Sequence, residues 1–282
     1  MKAQAGEFGL QQKYVNIPAE AGIFFMKQIQ SKDNLVVRQG MKVAAGRDKT
    51  RILLEGVHLC EEWLERYGPP ESVLVQASAA DHPDVVRLLA ANDAARQYVL
   101  ADALFNAIAT VQTPQGIMFV ATRPIPAAIT RLATTALWLD RLQDPGNLGT
   151  ILRTAAAAGV RDVLLSAGCV GAWSPKVLRS AQGAHFALEI HEHQHFPDIR
   201  ARLDMPVLAS SLAPGARSLY ASVLPAACLW VVGNEGQGVH PDILADADQC
   251  IFIPQSDAVE SLNAAVAAAI LLFEQRRQHM QV

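Results

Sequence analysis

Apolar positions along the chain fall into two alternating rhythms: short, nearly unbroken runs and longer stretches with helical spacing. In the first half, Arg51–Leu54, Ser72–Gln76 and Gly116–Ala121 read as strands. Between them, Gly56–Tyr67, His82–Ala91 and Ala101–Thr110 carry helical spacing. The first of these stops at Gly68-Pro69-Pro70, and Asp81 is the expected cap of the second. The pattern predicts a small α/β unit of about three strands. In the second half the alternation is clearer. Ala136–Leu139, Val163–Ser166, Pro206–Ser210, Leu229–Val232 and Cys250–Ile253 are strand-like, and Phe186–His191 is a further apolar run. Leu148–Ala158, Pro175–Gln182 and Ser261–Arg277 are helix-like. Short apolar strands separated by helices predict a parallel sheet covered on both faces.

Two prolines, Pro124 and Pro126, deny regular hydrogen bonding to the chain between the halves. The expected organisation is therefore a flexible extension over 1–25, a first domain over 26–122, a linker over 123–135 and a second domain over 136–282.

Composition narrows the class. Of 282 residues, 51% are hydrophobic and 18% charged, as in ordinary globular chains. No apolar run reaches the roughly 18 residues a membrane helix needs. No basic, apolar and cleavable leader opens the chain, so a cytoplasmic protein is expected. Cys60, Cys169, Cys228 and Cys250 form no CxxC pair and read as reduced thiols. The net charge of −3 conceals a local excess: Lys27, Lys32, Arg38, Lys42, Arg47, Lys49 and Arg51 face only Asp33 and Asp48. That stretch is either a solvated helix face or an RNA-binding one.

Ligands of parallel α/β sheets bind at the loops leaving the strands' carboxyl ends. Three such loops have unusual content. After Ala136–Leu139 comes Asp140-Arg141-Leu142-Gln143-Asp144-Pro145-Gly146-Asn147, where Asn147 is the expected cap of a helix carrying Arg153. After Leu229–Val232 comes Gly233-Asn234-Glu235-Gly236-Gln237-Gly238, whose three glycines allow a backbone to approach a ligand closely. It matches neither a dinucleotide nor an ATP phosphate loop. After the last strand, Ile253-Pro254 leads to Ser261-Leu262-Asn263 and an alanine-rich helix that Ser261 can cap.

Taken together and in this order, the loops resemble the three signature motifs of the SpoU (TrmH) family of RNA ribose methyltransferases. The match runs through Asn147, Gly149, Arg153 and Ala155, then Gly233 to Gly238, then Ile253, Pro254, Ser261, Leu262, Asn263 and Ala268-Ala269-Ile270. Ser174-Pro175-Lys176 and Arg179 to Ala184 are also similar to the family. More loosely, Ser31-Lys32-Asp33-Asn34, Leu54-Glu55-Gly56-Val57 and Thr113-Pro114-Gln115-Gly116 resemble the family's ribosomal-protein-like RNA-binding domain. One departure is Gln255, where the family usually has methionine.

The resemblance implies an α/β fold with a C-terminal, trefoil-knotted, parallel-sheet SPOUT methyltransferase domain and a smaller N-terminal domain. It implies a homodimer, S-adenosylmethionine as cofactor and methyl transfer to a ribose 2′-hydroxyl, in ribosomal RNA given the added N-terminal domain. Ser210, Gly233, Gly238, Ile253 and Leu262 would then hold the cofactor. Arg153 would act on the 2′-oxygen, with Asn147, Glu235, Ser261 and Asn263 orienting it. Since arginine stays charged at all ordinary pH, stabilising a developing alkoxide suits Arg153 better than taking a proton. Lys32, Arg38, Lys42, Arg47, Lys49 and Arg51 would contact RNA. The competing expectations are a transfer-RNA substrate, a catalytically silent RNA-binding homologue, and a metal site at His191, His193 and His195.

Overall fold

The computed structural model describes residues 14–19 and 22–280, with side chains from Met26 onward. The chain divides into two compact units, one ending at Arg123 and the other beginning at Pro124.

The N-terminal unit is a six-stranded mixed sheet. Its strands are β1 (Tyr14–Ala19), β2 (Gly22–Ile29), β3 (Arg51–Glu55), β4 (Ser72–Gln76), β5 (Arg96–Leu100) and β6 (Ile117–Thr122), in the order β1-β2-β5-β4-β6-β3. Successive side chains of a strand face opposite sides. Leu53, Leu74, Met118 and Val120 accordingly pack with Val37 and Val43 of α1 (Leu35–Ala44) and Phe105 and Ile108 of α4 (Asp102–Ile108). Their neighbours Ile52, Leu54, Val73, Val75 and Phe119 are equally buried and point the other way. On that side α2 (Val57–Tyr67) packs on β3 and β6 and against α3 (Pro83–Ala90).

Several expectations change here. Within the expected extension over 1–25 lie β1 and the first four residues of β2, paired antiparallel; residues 1–13, 20 and 21 lie outside the described residues. The unit has six strands where about three were expected. Helix α1 gives a weaker signal because only Val37, Gly40 and Val43 are fully buried, with Arg38 and Lys42 interrupting the apolar positions. Helix α3 is capped by His82, not Asp81: Nδ1 of His82 accepts from the Asp84 amide at 3.3 Å, with Pro83 in the first turn.

The C-terminal unit is a seven-stranded, wholly parallel sheet. Its strands are β7 (Ala136–Leu139), β8 (Asp162–Ser166), β9 (Glu189–Gln194), β10 (Val207–Ser210), β11 (Arg217–Ser218), β12 (Leu229–Val232) and β13 (Gln249–Phe252), in the order β11-β13-β10-β12-β7-β8-β9. Trp138, Leu164, Val207 and Val231 pack against Phe196 of α7 (Phe196–Arg200) and Ile243 of α8 (Pro241–Asp246). The alternate residues Leu137, Leu139, Val163 and Val232 are buried too. Helices α5 (Pro145–Ala158), α6 (Pro175–Ala181) and α9 (Ala264–His279) complete the unit, with α6 and α9 both packed on α5. Gln275 ties α9 down: its carbonyl accepts from Trp230 Nε1 at 2.7 Å and its amide donates to the Pro225 carbonyl at 3.0 Å. Among the described residues no helix is long and apolar enough to cross a membrane.

Two helix starts differ from expectation, and both differences serve the site. Helix α5 begins at Pro145, capped by Asp144, whose Oδ1 accepts the Asn147 amide at 2.7 Å. Proline's fixed φ favours the first helical position. The Asn147 side chain is thereby spared capping duty. Helix α9 is capped by Asn263, not Ser261, through Oδ1 to the Ala265 and Val266 amides at 2.9 and 3.3 Å.

Helix α6 sits so close to α5 that only glycine fits at 149. A Cβ there would stand 1.8 Å from Ser180 Oγ and 2.9 Å from the Ala181 nitrogen. Gly149→Ala is expected to destabilise by about 1–3 kcal/mol and lower the melting temperature by several degrees. Adding Ser180→Gly should restore only part of the loss, because the Ala181 nitrogen still crowds the new methyl group, and an unchanged melt in Gly149→Ala would contradict the packing. A second prediction concerns His185, which is fully buried against Trp173. Its Nε2 donates to the Ala172 carbonyl at 2.7 Å, while Nδ1 has no partner. Burial therefore pushes its pKa down from 6.5 to about 4. The unfolded chain takes up this proton near 6.5 and the folded one resists. Stability should be flat above 6.5 and fall toward pH 4 by up to about 1.4 kcal/mol per pH unit. Thermal melts between pH 7.5 and 4.5 should show that slope, and His185→Gln should lack it.

Candidate active site

Because every strand of the C-terminal sheet runs the same way, the loops after β7, β10, β12 and β13 leave from one edge. A cavity of about 420 Å³ opens among three of them. Ser210, Gly233, Gly238, Ile253 and Leu262, the five residues expected to hold a cofactor, all line it. Glu235 and Ser261 line it as well.

The glycine loop has a defined shape. Asn234 and Gly238 exchange two backbone hydrogen bonds of 3.0 and 2.9 Å, closing the loop on itself. Asn234 Oδ1 accepts from the Gly236 and Gln237 amides at 2.9 and 3.0 Å, which fixes the turn between. Gly238 has φ +67°. A Cβ on Gly233 would lie 2.2 Å from the Gly238 carbonyl carbon and the Val239 nitrogen, so backbone meets backbone and no side chain is admissible.

At the rim, three expected catalytic residues form one relay. Asn263 Nδ2 donates to Asn147 Oδ1 at 2.9 Å, and Asn147 Nδ2 donates to Glu235 Oε1 at 3.0 Å. The cap at α9 fixes the Asn263 amide, which fixes the Asn147 amide in turn. Residues 116 positions apart are brought into contact. The relay ends on Glu235, whose Oε1 accepts the last bond.

Arg153 is placed differently. Six residues beyond Asn147, it has turned roughly 120° away and moved about 9 Å along the helix. It is exposed, is not among the cavity's lining residues, and has no hydrogen bond or ion pair among the described residues. It lies on an uncovered stripe of α5 with Gly146, Thr150 and Ala157. Helix α9, packed on α5, leaves Val266 and Phe273 48% and 46% exposed. Each helix thus keeps one face free of its own chain.

The three histidines of the metal hypothesis do not converge. His191 is buried with Nε2 3.3 Å from Asp162, His193 sits at φ +58° and is exposed, and His195 pairs with Asp198 on the surface. Sequence reasoning missed Asp140, Ser166 and His240, which join beneath the glycine loop. Asp140 is 3% exposed and accepts from Ser166 Oγ at 3.1 Å and the His240 amide at 2.9 Å. A charged residue closing an apolar strand was the available signal.

In the N-terminal unit, the six basic residues expected to meet RNA follow α1. Lys32 precedes the helix, Arg38 and Lys42 lie one turn apart on its exposed side with Leu35, and Arg47 and Lys49 follow it. Arg51 is committed elsewhere, bonding Glu71 at 2.8 Å with Asp48 beside it.

The site can be set beside known proteins. Residues 134–273 match the model of the SpoU rRNA Methylase family. A Bacillus subtilis relative named 23S rRNA (guanosine(2553)-2′-O)-methyltransferase RlmP is 35% identical, over 89% of this chain and 100% of that one. The crystal structure of an AdoMet-bound rRNA methyltransferase from Sinorhizobium meliloti superposes with a TM-score of 0.80 at 25% identity, covering 91% of this chain and 99% of that one. A putative RNA methyltransferase of the TrmH family from Porphyromonas gingivalis gives 0.72 at 31% identity, over 86% and 97%. With its second half matching the family model and 89% of its length matching the whole of a relative at 35% identity, the chain belongs to the SpoU rRNA methylase family.

Proposed function

We propose that this protein transfers a methyl group from S-adenosylmethionine to a ribose 2′-hydroxyl of ribosomal RNA. The observation that carries the reading is the cavity itself, where four separate segments meet beside the Asn263–Asn147–Glu235 relay. The names of relatives, a 23S rRNA 2′-O-methyltransferase and a mitochondrial rRNA methyltransferase, and the AdoMet-bound neighbour support it.

The residues present fit the cofactor. Gly233 and Gly238 let backbone approach it, Ile253, Leu262 and Phe252 offer apolar walls, and the carboxylates Glu235 and Glu260 suit a cationic ligand. S-adenosylmethionine supplies a methyl group already activated by a positively charged sulfur. What remains for the chain is to align a 2′-oxygen with that methyl, exclude water and stabilise the negative charge as the hydroxyl loses its proton. In this reading Ser261 at the cavity, with Asn147 and Asn263 bonded at its rim, would orient the ribose.

Arg153 would complete the site in a homodimer. Uncovered faces on α5 and α9, with Val266 and Phe273 among them, support pairing through these helices. That pairing would cover the stripe on which Arg153 lies. The trefoil knot belongs to the same reading, supported by β13 inserting between β11 and β10 and by Asn263 returning to α5. The N-terminal unit would bind RNA along α1, by backbone contacts more than by base edges. A bacterial relative acting on 23S rRNA supports a cytoplasmic place of work.

Three outcomes are expected. Arg153→Ala abolishes methyl transfer to rRNA while S-adenosylmethionine affinity, measured by calorimetry, changes less than threefold; retained turnover refutes the role. Phe273→Glu yields monomers by sedimentation with activity abolished, and an active monomer would refute the shared site. Arg38→Ala with Lys42→Ala weakens RNA binding and flattens its salt dependence, by about 0.7–0.9 in log–log slope for each phosphate no longer neutralised. Arg51→Ala, by contrast, should leave that slope unchanged.

A further inference from the structure

Arg141 belongs to none of the signature positions named above and does not line the cavity, yet its side chain makes three hydrogen bonds at this edge of the sheet. It follows buried Asp140 directly after β7 and adopts φ +53°, a conformation L residues seldom take. Its backbone is held on both sides: the amide donates to Ser166 Oγ at 2.8 Å, and the carbonyl accepts from Asn234 Nδ2 at 2.8 Å. The turn so fixed sends the guanidinium across to the glycine loop. Nη1 donates to Gln237 Oε1 at 2.9 Å and Nη2 to the Gly238 carbonyl at 3.4 Å. Behind it, Asp140 Oδ2 accepts from Nε at 3.2 Å and from the His240 amide at 2.9 Å. The pair thus touches the glycine loop at Asn234, Gln237, Gly238 and His240. Gln237 and Gly238 themselves line the cavity.

We propose that Arg141 is a positioning residue: clasped to Asp140, it holds the loop over 234–240 in the form that accepts the cofactor. Occupancy of the cavity is then controlled by a side chain that never meets its occupant. The geometry explains why arginine stands where positive φ would favour glycine. A planar fork reaches an amide oxygen and a main-chain carbonyl together while a carboxylate anchors its other edge. Glycine would ease the backbone but leave Gln237 and Gly238 unheld. The inference rests on the proposed use of this cavity for S-adenosylmethionine.

The test is Arg141→Gly, which removes the side chain while suiting the backbone, so folding is preserved. The expected result is a folded protein whose melting temperature falls by a few degrees, with cofactor affinity about tenfold weaker by calorimetry. KM for S-adenosylmethionine should rise while kcat at saturating cofactor stays within threefold. Amide hydrogens of residues 234–239 should exchange faster. Arg141→Lys, which keeps the charge but loses the fork, should recover only part of the affinity. Gln237→Ala should add less than twofold to Arg141→Gly, since the two remove one interaction. Unaltered cofactor affinity in Arg141→Gly, or a loss confined to kcat, overturns the clasp while leaving the methyltransferase reading intact. Failure of the unmodified protein to bind S-adenosylmethionine would overturn that reading instead.

Discussion

The C-terminal unit depends on backbone lying against backbone where the chain leaves β12. At Gly233 the main chain touches its own course five residues later, leaving no room for even a methyl group. That close approach folds Asn234 to Gly238 into a tight ring and sets Glu235 at the cavity rim. The packing of Gly149 on α6 does the same for α5: it fixes the helix whose first turn carries Asn147. Two close approaches therefore place the two ends of the hydrogen bond between Asn147 and Glu235. Neither carries chemistry itself.

Capping is the second organising device. Asp144 caps α5 and Pro145 opens it, so Asn147 can turn its side chain toward the site. Asn263 caps α9 with its carbonyl oxygen and uses its amide to grip Asn147. One side chain thus ends a loop, starts a helix and orients a second residue. Polar groups of the rim hold one another in place, and the cavity mixes apolar walls at Phe252, Ile253 and Leu262 with the polar side chains of Glu235, Glu260 and Ser261.

Much of this was legible in the sequence. Unbroken apolar runs revealed the buried parallel strands of the second half, and the three loops were identifiable by content and order. The N-terminal half was harder to read. Strand β5 runs Arg-Gln-Tyr-Val-Leu with only its last two residues buried, and α1 fully buries three positions that Arg38 and Lys42 interrupt. Cap assignments failed where two capping residue types stood close together, as at Asp144 and Asn147 or Ser261 and Asn263, because spacing alone does not choose between them. The Asp140–Arg141 pair was invisible for a different reason: its partners lie about 95 residues away and meet it only through the parallel pairing of β7 with β12. The exposed position of Arg153 within one chain was likewise unreadable, since a helix's free face is known only once its neighbours are placed.

Ribosomal RNA from cells that contain this protein and cells that lack it can be mapped for ribose methylation nucleotide by nucleotide. A single 2′-O-methyl mark should vanish in its absence and return when purified protein and S-adenosylmethionine are added to the unmodified RNA. An unchanged ribose map, or a missing mark on a base instead of a sugar, would contradict the account.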